Sequence, residues 1–291
     1  MSDGAVSGGG SAPRRLVAGD VHSHVWLPEH LSAEFVGDLV RAWPEAKDIR
    51  AGYDEHAEHA LDAERSIVLA FDAPHVGFEV PDDFVARYVA RDETRLVGFC
   101  SIDPVRRNVR DKLDRAVGEL GLRGVKLAPT YQGFDPLGPE AFTLYEAIAE
   151  RGLPVVWHQG VTFVRRSVLA YALPRQIDEV ALRFPEIPIV IAHLGHPWIG
   201  ECVAVVRKHP LVYADISALT SRPVQMREAL IMAGEYRIAD KLLFGSDFPF
   251  ATIPDTVQVL RSWLDDPQSP PVLRDTVAAV LASTPLETLG L

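Results

Sequence analysis

The sequence has few of the features that mark secreted, membrane-spanning or nucleic-acid-binding proteins. Its 291 residues include only two cysteines, Cys100 and Cys202. Two are too few for a disulfide framework, and both lie in apolar stretches, so we expect reduced core residues. The longest apolar stretches, such as 187–195, fall short of the roughly 20 residues that a membrane-spanning helix needs. A formal net charge of -11 and the lack of a basic run argue against nucleic acid or anionic membranes as partners.

The N-terminal fifteen residues are rich in glycine and serine and contain no apolar run. This composition is typical of a flexible tail and not of a secretory signal. We therefore predict a tail over residues 1–15, a single domain over residues 16–291 and a cytoplasmic location.

Eight short apolar runs recur along the chain, separated by segments with a helical pattern. Continuous apolar strands are typical of a parallel sheet buried on both faces, and strand–helix units of about 30 residues imply right-handed crossovers. Eight units close a (β/α)8 TIM barrel, and an open dinucleotide-binding sheet is the weaker alternative because no G-x-G-x-x-G follows the first run. The runs cover residues 16–24, 66–72, 95–103, 122–129, 153–160, 187–195, 211–218 and 241–249.

Two segments predict that the barrel is distorted. Residues 27–65, between the first two strands, are long for a connection and contain helical patterns around 30–43 and 54–64. This insertion follows the carboxyl end of strand one, where barrels place their active sites, so it is a candidate lid. The stretch after the last strand predicts extra C-terminal helices. The helices expected between strands cover residues 108–120, 139–151, 175–184, 198–209 and 223–236.

Five polar residues stand at the carboxyl ends of predicted strands: His22 and His24 in strand one, His158, His193 and Asp247 in strands five, six and eight. Since side chains two apart on a strand share one face, His22 and His24 point the same way, with Cα atoms roughly 6.5 to 7 Å apart. Barrel strand ends converge on one mouth, which favours a shared site. Taken alone, an H-x-H pair more often marks a capped, solvated strand end than a metal site. Five other histidines are expected at the surface or in loops: His30, His56, His59, His75 and His209.

Five motifs occur in order along the chain: DVHSH, GVKLAP, VVWHQG, IVIAHLGHPW and LLFGSDFPF. Together they resemble the metal-dependent amidohydrolase superfamily, within it the amidohydrolase 2 group that includes aminocarboxymuconate-semialdehyde decarboxylase. The resemblance runs from about residue 17 to residue 291. It implies a distorted TIM barrel with one divalent metal ion, zinc in the first place and Mn²⁺ or Fe²⁺ as alternatives. The metal ligands it implies are His22, His24, His158 and Asp247, with Asp247 and His193 as the catalytic proton-transfer groups.

The resemblance implies a hydrolase that opens an amide, ester or lactone bond of a small carboxylated compound through metal-activated water. Non-oxidative decarboxylation at the same mononuclear site is the alternative, because the ligand set does not separate the two reactions. A metal-free lactonase and a catalytically silent barrel are weaker alternatives, since every expected ligand position is filled. A homodimer through the C-terminal helices also fits the resemblance.

Lys126 alternates with Val125 and Leu127 on a predicted strand, so its side chain is a candidate to point into the barrel. A charged lysine there suits a substrate carboxylate. The alternatives are a carboxylated lysine that bridges two metal ions, as in some superfamily members, and a lysine that extends to solvent at the strand end.

Four further residues are expected around the mouth. Arg165 and Arg222 lie in loops after strands five and seven, and guanidinium groups suit carboxylates. Trp26 is a candidate pocket wall, and His196 is expected to position the strand-six loop. Gln159 stands where relatives often carry a small hydroxyl residue, which leaves the hydrogen bonding behind His158 open.

Overall fold

The computed structural model describes residues 15–291, so residues 1–14 of the predicted tail lie outside the described part of the chain. Eight parallel strands form one sheet in the order β1-β2-β5-β6-β7-β8-β9-β10, and helices cover its outer face. The predicted TIM barrel is therefore confirmed. The strands are β1 (Val17–His24), β2 (Ala63–Leu69), β3 (Phe71–Ala73), β4 (Phe78–Val80), β5 (Leu96–Ser101), β6 (Val125–Leu127), β7 (Val155–Trp157), β8 (Ile189–Ile191), β9 (Val212–Asp215) and β10 (Leu242–Leu243).

The barrel closes where the chain after β10 meets β1. The backbone N–H of Val21 donates to the carbonyl oxygen of Phe244 (3.1 Å), and that of His24 donates to Phe248 (2.9 Å). Asp247 N donates to the carbonyl oxygen of His22 (2.8 Å). The predicted last strand, 241–249, is much shorter in the structure because residues 244–248 join β1 through such single hydrogen bonds and not through a regular ladder.

Most of the described helices agree with the sequence patterns to within a few residues, but the one-turn helix at Pro129–Gln132 and the region after β2 were not predicted. The stretch after β2 turns into the antiparallel hairpin β3–β4 and a helix, neither of which we predicted, because the apolar run 66–72 masks the break at Ala70. The helices are α1 (Ala33–Ala42), α2 (Tyr53–His59), α3 (Asp82–Val89), α4 (Val109–Gly118), α5 (Pro129–Gln132), α6 (Pro139–Glu150), α7 (Arg175–Arg183), α8 (Ile199–Lys208), α9 (Pro223–Glu235), α10 (Ile253–Leu264), α11 (Pro271–Leu281) and α12 (Pro285–Thr288).

The core has two layers, one inside the barrel and one between the strands and the helices. Alternate strand residues such as Ile67 and Phe99 fill the interior, and Leu286 of α12 closes it from the amino-terminal end. Gly19 permits this closure, because a Cβ at that position would lie 2.8 Å from Leu286 Cδ1. The last of the predicted C-terminal helices, α12, thus closes the amino-terminal end of the barrel.

The two cysteines are buried and free, as predicted. Of the helices in residues 15–291, none combines the length and apolar character needed to cross a bilayer.

The insertion between β1 and β2 is fastened to two neighbouring loops. Ser32 N donates to the carbonyl oxygen of Gly77 in the β3–β4 hairpin (2.8 Å). The buried carboxylate of Asp38 accepts hydrogen bonds from Arg165 N (2.9 Å) and Arg165 Nε (2.5 Å) in the loop after β7. The predicted lid segment therefore lies over the carboxyl ends of the strands and is held there by polar contacts.

Candidate metal centre

The five polar residues at the strand ends all lie in one cavity of about 380 Å³ at the barrel mouth. His22, His24, His158, His193 and Asp247 are each buried, with no more than 8% of their surface exposed. Volumes in this range are typical of sites that hold small organic ligands. The structure thus brings together every residue that the sequence assigned to a metal or to proton transfer.

Three potential ligand atoms converge most closely. His22 Nε2 lies 3.4 Å and His24 Nε2 lies 3.5 Å from Asp247 Oδ1. A four-coordinate zinc ion with bonds of about 2.0–2.1 Å separates neighbouring ligands by roughly 3.3–3.4 Å. Two imidazoles and one carboxylate at these distances therefore fit a divalent cation.

His158 lies next to this cluster and not within it. Its Nδ1 is 3.2 Å from His193 Nε2, and its own Nε2 is buried without a hydrogen-bond partner among the described residues. A buried, unpaired imidazole nitrogen is costly, and a cation in the cavity would give it a partner. The orphaned atom is a second observation that fits a metal ion.

Asp215, at the end of β9, orients His22. Its Oδ2 accepts a hydrogen bond from His22 Nδ1 (2.9 Å), which leaves the lone pair of His22 Nε2 facing Asp247. Its Oδ1 accepts from the backbone N–H groups of His193 (2.9 Å) and Ser217 (3.0 Å). A carboxylate behind a ligand histidine fixes the tautomer and raises ligand basicity. Sequence reasoning missed Asp215, although it follows an apolar run just as the five predicted residues do.

Asp20 connects β1, the first strand of the barrel, to the segment after β10, close to the candidate ligands. Its Oδ1 accepts from the backbone N–H groups of His22 and Ser246, both at 3.0 Å. Its Oδ2 accepts from Ser246 Oγ (2.6 Å) and pairs with His59 Nε2 (3.2 Å). Since Ser246 precedes Asp247, this network fixes the segment that carries the candidate carboxylate ligand.

The prediction for the peripheral histidines was wrong in part. His56 and His59 of α2 are buried, because α2 packs against β1, where His56 Nε2 lies 2.7 Å from Ser23 Oγ. His209 lies in the loop after α8, as expected, but is buried, with Nε2 2.6 Å from Asp178 Oδ1. His75 is exposed as expected, and His30 is half-buried.

Two of the candidate residues have unusual backbone conformations. Asp247 has φ of 66° and His193 has φ of 59°, in the left-handed region that non-glycine residues rarely adopt. Such conformations cost free energy and are concentrated at functional sites. The hydrogen bonds from Asp247 N to His22 and from His193 N to Asp215 hold both residues in place.

Burial dominates the electrostatics of the centre. It lowers the pKa of His24 to about 3 and the pKa values of His22 and His158 well below the ordinary range. All three imidazoles are therefore neutral at pH 7, the form that binds a metal ion. Burial also raises the pKa of Asp247, although His193 and Lys126 oppose that shift.

Lys126 points into the cavity from β6 and is almost fully buried, in agreement with the predicted alternation. Its Nζ lies 3.1 Å from His22 Nε2. Burial lowers the pKa of Lys126, while the carboxylates of Asp215 and Asp247 raise it. The ammonium group thus lies beside the candidate ligand His22, and the negative charges of Asp215 and Asp247 favour its protonated form.

The remaining candidates fall into two groups. Trp26, Arg222 and His196 line the cavity, and His196 Nε2 lies 2.6 Å from Gln225 Oε1. Arg165 is not among the lining residues. Its pairing with Asp38 overturns the expectation that its guanidinium faces the substrate.

Gln159 is fully buried behind β7. With the side-chain amide oriented to donate, Gln159 Nε2 donates a hydrogen bond to the carbonyl oxygen of Ala172 (2.8 Å). Gln159 therefore fastens the long loop after β7.

Comparison with known proteins agrees with this picture. A family model described as amidohydrolase matches residues 20–291. No curated protein sequence gives a significant match.

Solved structures share the fold at low sequence identity. An uncharacterized TIM-barrel protein from Bordetella bronchiseptica is 18% identical, with a TM-score of 0.71 over 94% of this chain and 100% of that one. A probable 2-pyrone-4,6-dicarboxylic acid hydrolase from Acinetobacter baumannii, with citric acid bound, is 15% identical, with a TM-score of 0.67 over 94% and 99%. A dihydroxybenzoic acid decarboxylase from a Polaromonas species, with bound manganese and the inhibitor 2-nitroresorcinol, is 17% identical, with a TM-score of 0.66 over 94% and 97%.

Proposed function

This chain belongs to the amidohydrolase family, and from that premise we propose that it is a hydrolase with one divalent metal ion. Its reaction is the opening of an amide, ester or lactone bond in a small compound that carries a carboxyl group. The observation that carries the proposal is that His22 Nε2 and His24 Nε2 lie 3.4 and 3.5 Å from Asp247 Oδ1 in a ligand-sized cavity.

His22, His24 and Asp247 would hold the metal ion, with His158 as the fourth ligand. When bound, a divalent cation supplies an electrophile for a carbonyl oxygen and acidifies water. Zinc is our first choice because three imidazoles and one carboxylate suit it. Manganese is the first alternative, since the similar Polaromonas decarboxylase contains it.

Asp247 and His193 carry the protons in this proposal. In hydrolysis a new C–O bond forms to the water oxygen, and the C–N or C–O bond to the leaving group breaks. Asp247 accepts a proton from the water and returns it to the leaving nitrogen or oxygen. His193 lies between His158 and Ser217, with Nδ1 2.8 Å from Ser217 Oγ, and so presents its ring at the cavity in a fixed orientation.

Decarboxylation is the second candidate, and the apolar wall of the cavity favours it. Loss of carbon dioxide spreads the charge of a carboxylate over the remaining molecule, which an apolar, water-poor environment assists. Aromatic side chains such as Phe71 and Tyr131 stand directly beside His24 and His158, with ring centroids 6.1 and 4.9 Å apart. In that reaction the C–C bond to the carboxylate breaks, carbon dioxide leaves, and protonated Asp247 would give its proton to the carbon atom that carried the carboxylate.

The first experiment measures metal per chain by elemental mass spectrometry, on full-length protein purified without chelators or a histidine tag. We expect about one equivalent of zinc or manganese. A panel of esters, lactones, amides and aromatic carboxylates is then followed for carbon dioxide release and for incorporation of labelled water oxygen. Incorporation without carbon dioxide supports hydrolysis, and carbon dioxide without incorporation supports decarboxylation. Protein that takes up neither metal overturns the proposal, and the metal-free lactonase or silent barrel would then explain the fold.

A cytoplasmic location and a homodimer stay predictions. Sedimentation of the full chain at several concentrations checks the second.

A further inference from the structure

Six aromatic side chains form a closed series of ring contacts around the cavity. Successive ring centroids lie between 4.8 and 6.0 Å apart, and the last ring returns to the first. All six line the cavity. We call this set the aromatic collar, which consists of Trp26, Phe78, Phe35, Phe163, Trp43 and Phe250.

The collar is assembled from separate loops that are fastened to one another. Phe35 and Trp43 come from the insertion, and Phe163 comes from the loop after β7. Arg41 of the insertion donates from Nη2 to the carbonyl oxygen of Phe163 (2.9 Å). The Asp38–Arg165 contacts join the same two loops. The collar is therefore preorganised, which lowers the ordering cost of binding.

The apolar wall continues from the collar down to the metal centre. Phe71 stacks on Phe78 with centroids 4.4 Å apart, and it lies 5.6 Å from Tyr131. Phe71 also lies 6.1 Å from His24, and Tyr131 lies 4.9 Å from His158. A ligand that reaches the ligand histidines therefore finds aromatic surface along this wall of the cavity.

Outside the metal centre, the cavity lining offers one positively charged side chain that could pair with a substrate anion. Apart from the ligand cluster, the charged lining residues are Glu45 and Arg222. The guanidinium of Arg222 lies 5.8 Å from the Trp43 ring centroid, at the edge of the collar. Lys126 lies within the metal centre, with Nζ 3.1 Å from His22 Nε2. A second carboxylate on a compact substrate would lie against aromatic rings, which is costly without a partner.

We propose that the aromatic collar selects a substrate with a bulky, uncharged aromatic or apolar body that carries one carboxyl or acyl group. Compact di- and tricarboxylates are selected against. The inference rests on the proposed function for the reacting group, whereas the apolar body is argued from the collar alone. It refines the substrate class of the site and accounts for the large share of aromatic residues in the lining.

Calorimetric titration of the metal-loaded full chain tests this selection with three probes: 2-naphthoate, benzoate and citrate. Naphthoate and benzoate share one carboxylate and differ by one fused ring. Burial of that ring is expected to give naphthoate at least about tenfold higher affinity. Citrate is expected to bind more weakly than naphthoate.

Variants from two different loops assign the preference to the collar. Trp43→Ala and Phe163→Leu should each bring the ratio of naphthoate to benzoate affinity close to one. The matched control is Trp263→Ala, since Trp263 is a half-buried tryptophan of α10 outside the cavity, and it should retain the wild-type ratio. Circular dichroism of each variant verifies that the fold is intact.

The outcomes separate this inference from the proposed function. Citrate or benzoate binding as tightly as naphthoate, or an unchanged ratio in both collar variants, overturns the inference even when the enzyme is active. The ratio is also measured after chelator treatment. A naphthoate preference that depends on Trp43 and Phe163, in protein that takes up no metal and turns over no substrate, supports the collar and contradicts the proposed function.

Discussion

The floor and the walls of the cavity differ in chemistry, because the floor is polar and the walls are aromatic and apolar. The floor consists of His22, His24, His158, Asp247 and Lys126, all at strand ends and all polar. The aromatic collar comes from loops and contributes apolar surface. Burial of each large apolar side chain stabilises the fold by about 1.5–3 kcal/mol, whereas buried polar groups cost free energy unless they are paired.

This difference indicates how the two regions divide their tasks. The floor is held by hydrogen bonds from neighbouring strands, and two residues of the site have left-handed backbone conformations. It is therefore suited to fixed geometry and chemistry. The collar is held by packing and by a few polar contacts between loops, and it is suited to selection of a ligand. Substitutions in each region should change different measured quantities.

The largest effect is expected in the floor. His22→Ala removes a ligand atom that lies 3.4 Å from Asp247 Oδ1, so metal content should fall from about one equivalent per chain to near zero. Turnover should fall to background for the same reason. Elemental mass spectrometry measures the first quantity. His75→Ala is the matched control, because His75 is exposed and outside the cavity, and it should retain the metal.

A smaller effect is expected at Asp215, which hydrogen-bonds to a candidate metal ligand and is not itself proposed as one. Asp215→Asn removes the carboxylate that accepts from His22 Nδ1, so metal affinity should fall about 10- to 100-fold while the metal still binds. Competition with a fluorescent chelator measures this affinity. Asp178→Asn breaks a similar aspartate–histidine pair with His209 on the outside of the barrel, and equal losses in both variants would contradict the role of Asp215.

Asp82, the half-buried first residue of α3, tests whether a desolvated carboxylate costs stability outside the floor as well. Burial raises the pKa of Asp82 to about 7, although Ser101 N donates to its carboxylate. The protonated form is favoured by the fold, so this contribution to stability is fully present below about pH 4 and is lost as the pH rises through about 7. Asp82→Asn should therefore increase the free energy of unfolding by of the order of 1–2 kcal/mol at pH 8 and leave it unchanged near pH 4.

Urea unfolding at these two pH values measures the difference. The adjacent Asp83 is the control of opposite sign, because its side-chain hydrogen bonds with Arg115 hold the pKa of Asp83 below the ordinary value. Asp83→Asn should reduce stability at pH 8. A gain of stability in both variants would show that net charge, and not burial of Asp82, causes the effect.

The smallest effect is expected at Arg165, whose contact with Asp38 joins two of the segments that carry the aromatic collar. Arg165→Met removes the side-chain contact with Asp38 but keeps the backbone contact, so naphthoate affinity should fall by no more than about fivefold. Metal content should stay the same. Arg175→Met removes a surface pair with Glu201 far from the cavity and should change neither quantity. Loss of metal in the Arg165 variant would mean that the aromatic collar and the metal-binding floor do not act independently.

Most of the floor was predictable because the signal is local. A period of two along β1 puts His22 and His24 on one face, and apolar runs that end in His158, His193 and Asp247 mark the mouth of a parallel barrel. Asp215 carries the same signal at the end of β9 and was overlooked. Lys126 faces the cavity for the same reason of alternation.

The rest depends on contacts between segments far apart in the chain. α2 has seven residues, too short for its pattern to show which face packs inward, and so the burial of His56 and His59 was not foreseen. Arg165 was expected to face a ligand because nothing near it in the chain reveals Asp38, 127 residues earlier. The hairpin β3–β4 was hidden because the apolar run 66–72 continues from β2 across the break at Ala70 into β3.

The sequence by itself determined the number of barrel strands, the parallel barrel and the set of polar strand ends, because hydrophobic periodicity and strand polarity act over a few residues. Only the tertiary structure decided which nitrogen of His22 faces Asp247 and which acidic groups stand behind the ligands. It also decided that six aromatic rings from several segments of the chain meet above the ligands. Those features depend on loop packing and on distances of 3–6 Å between segments that local patterns do not relate to one another.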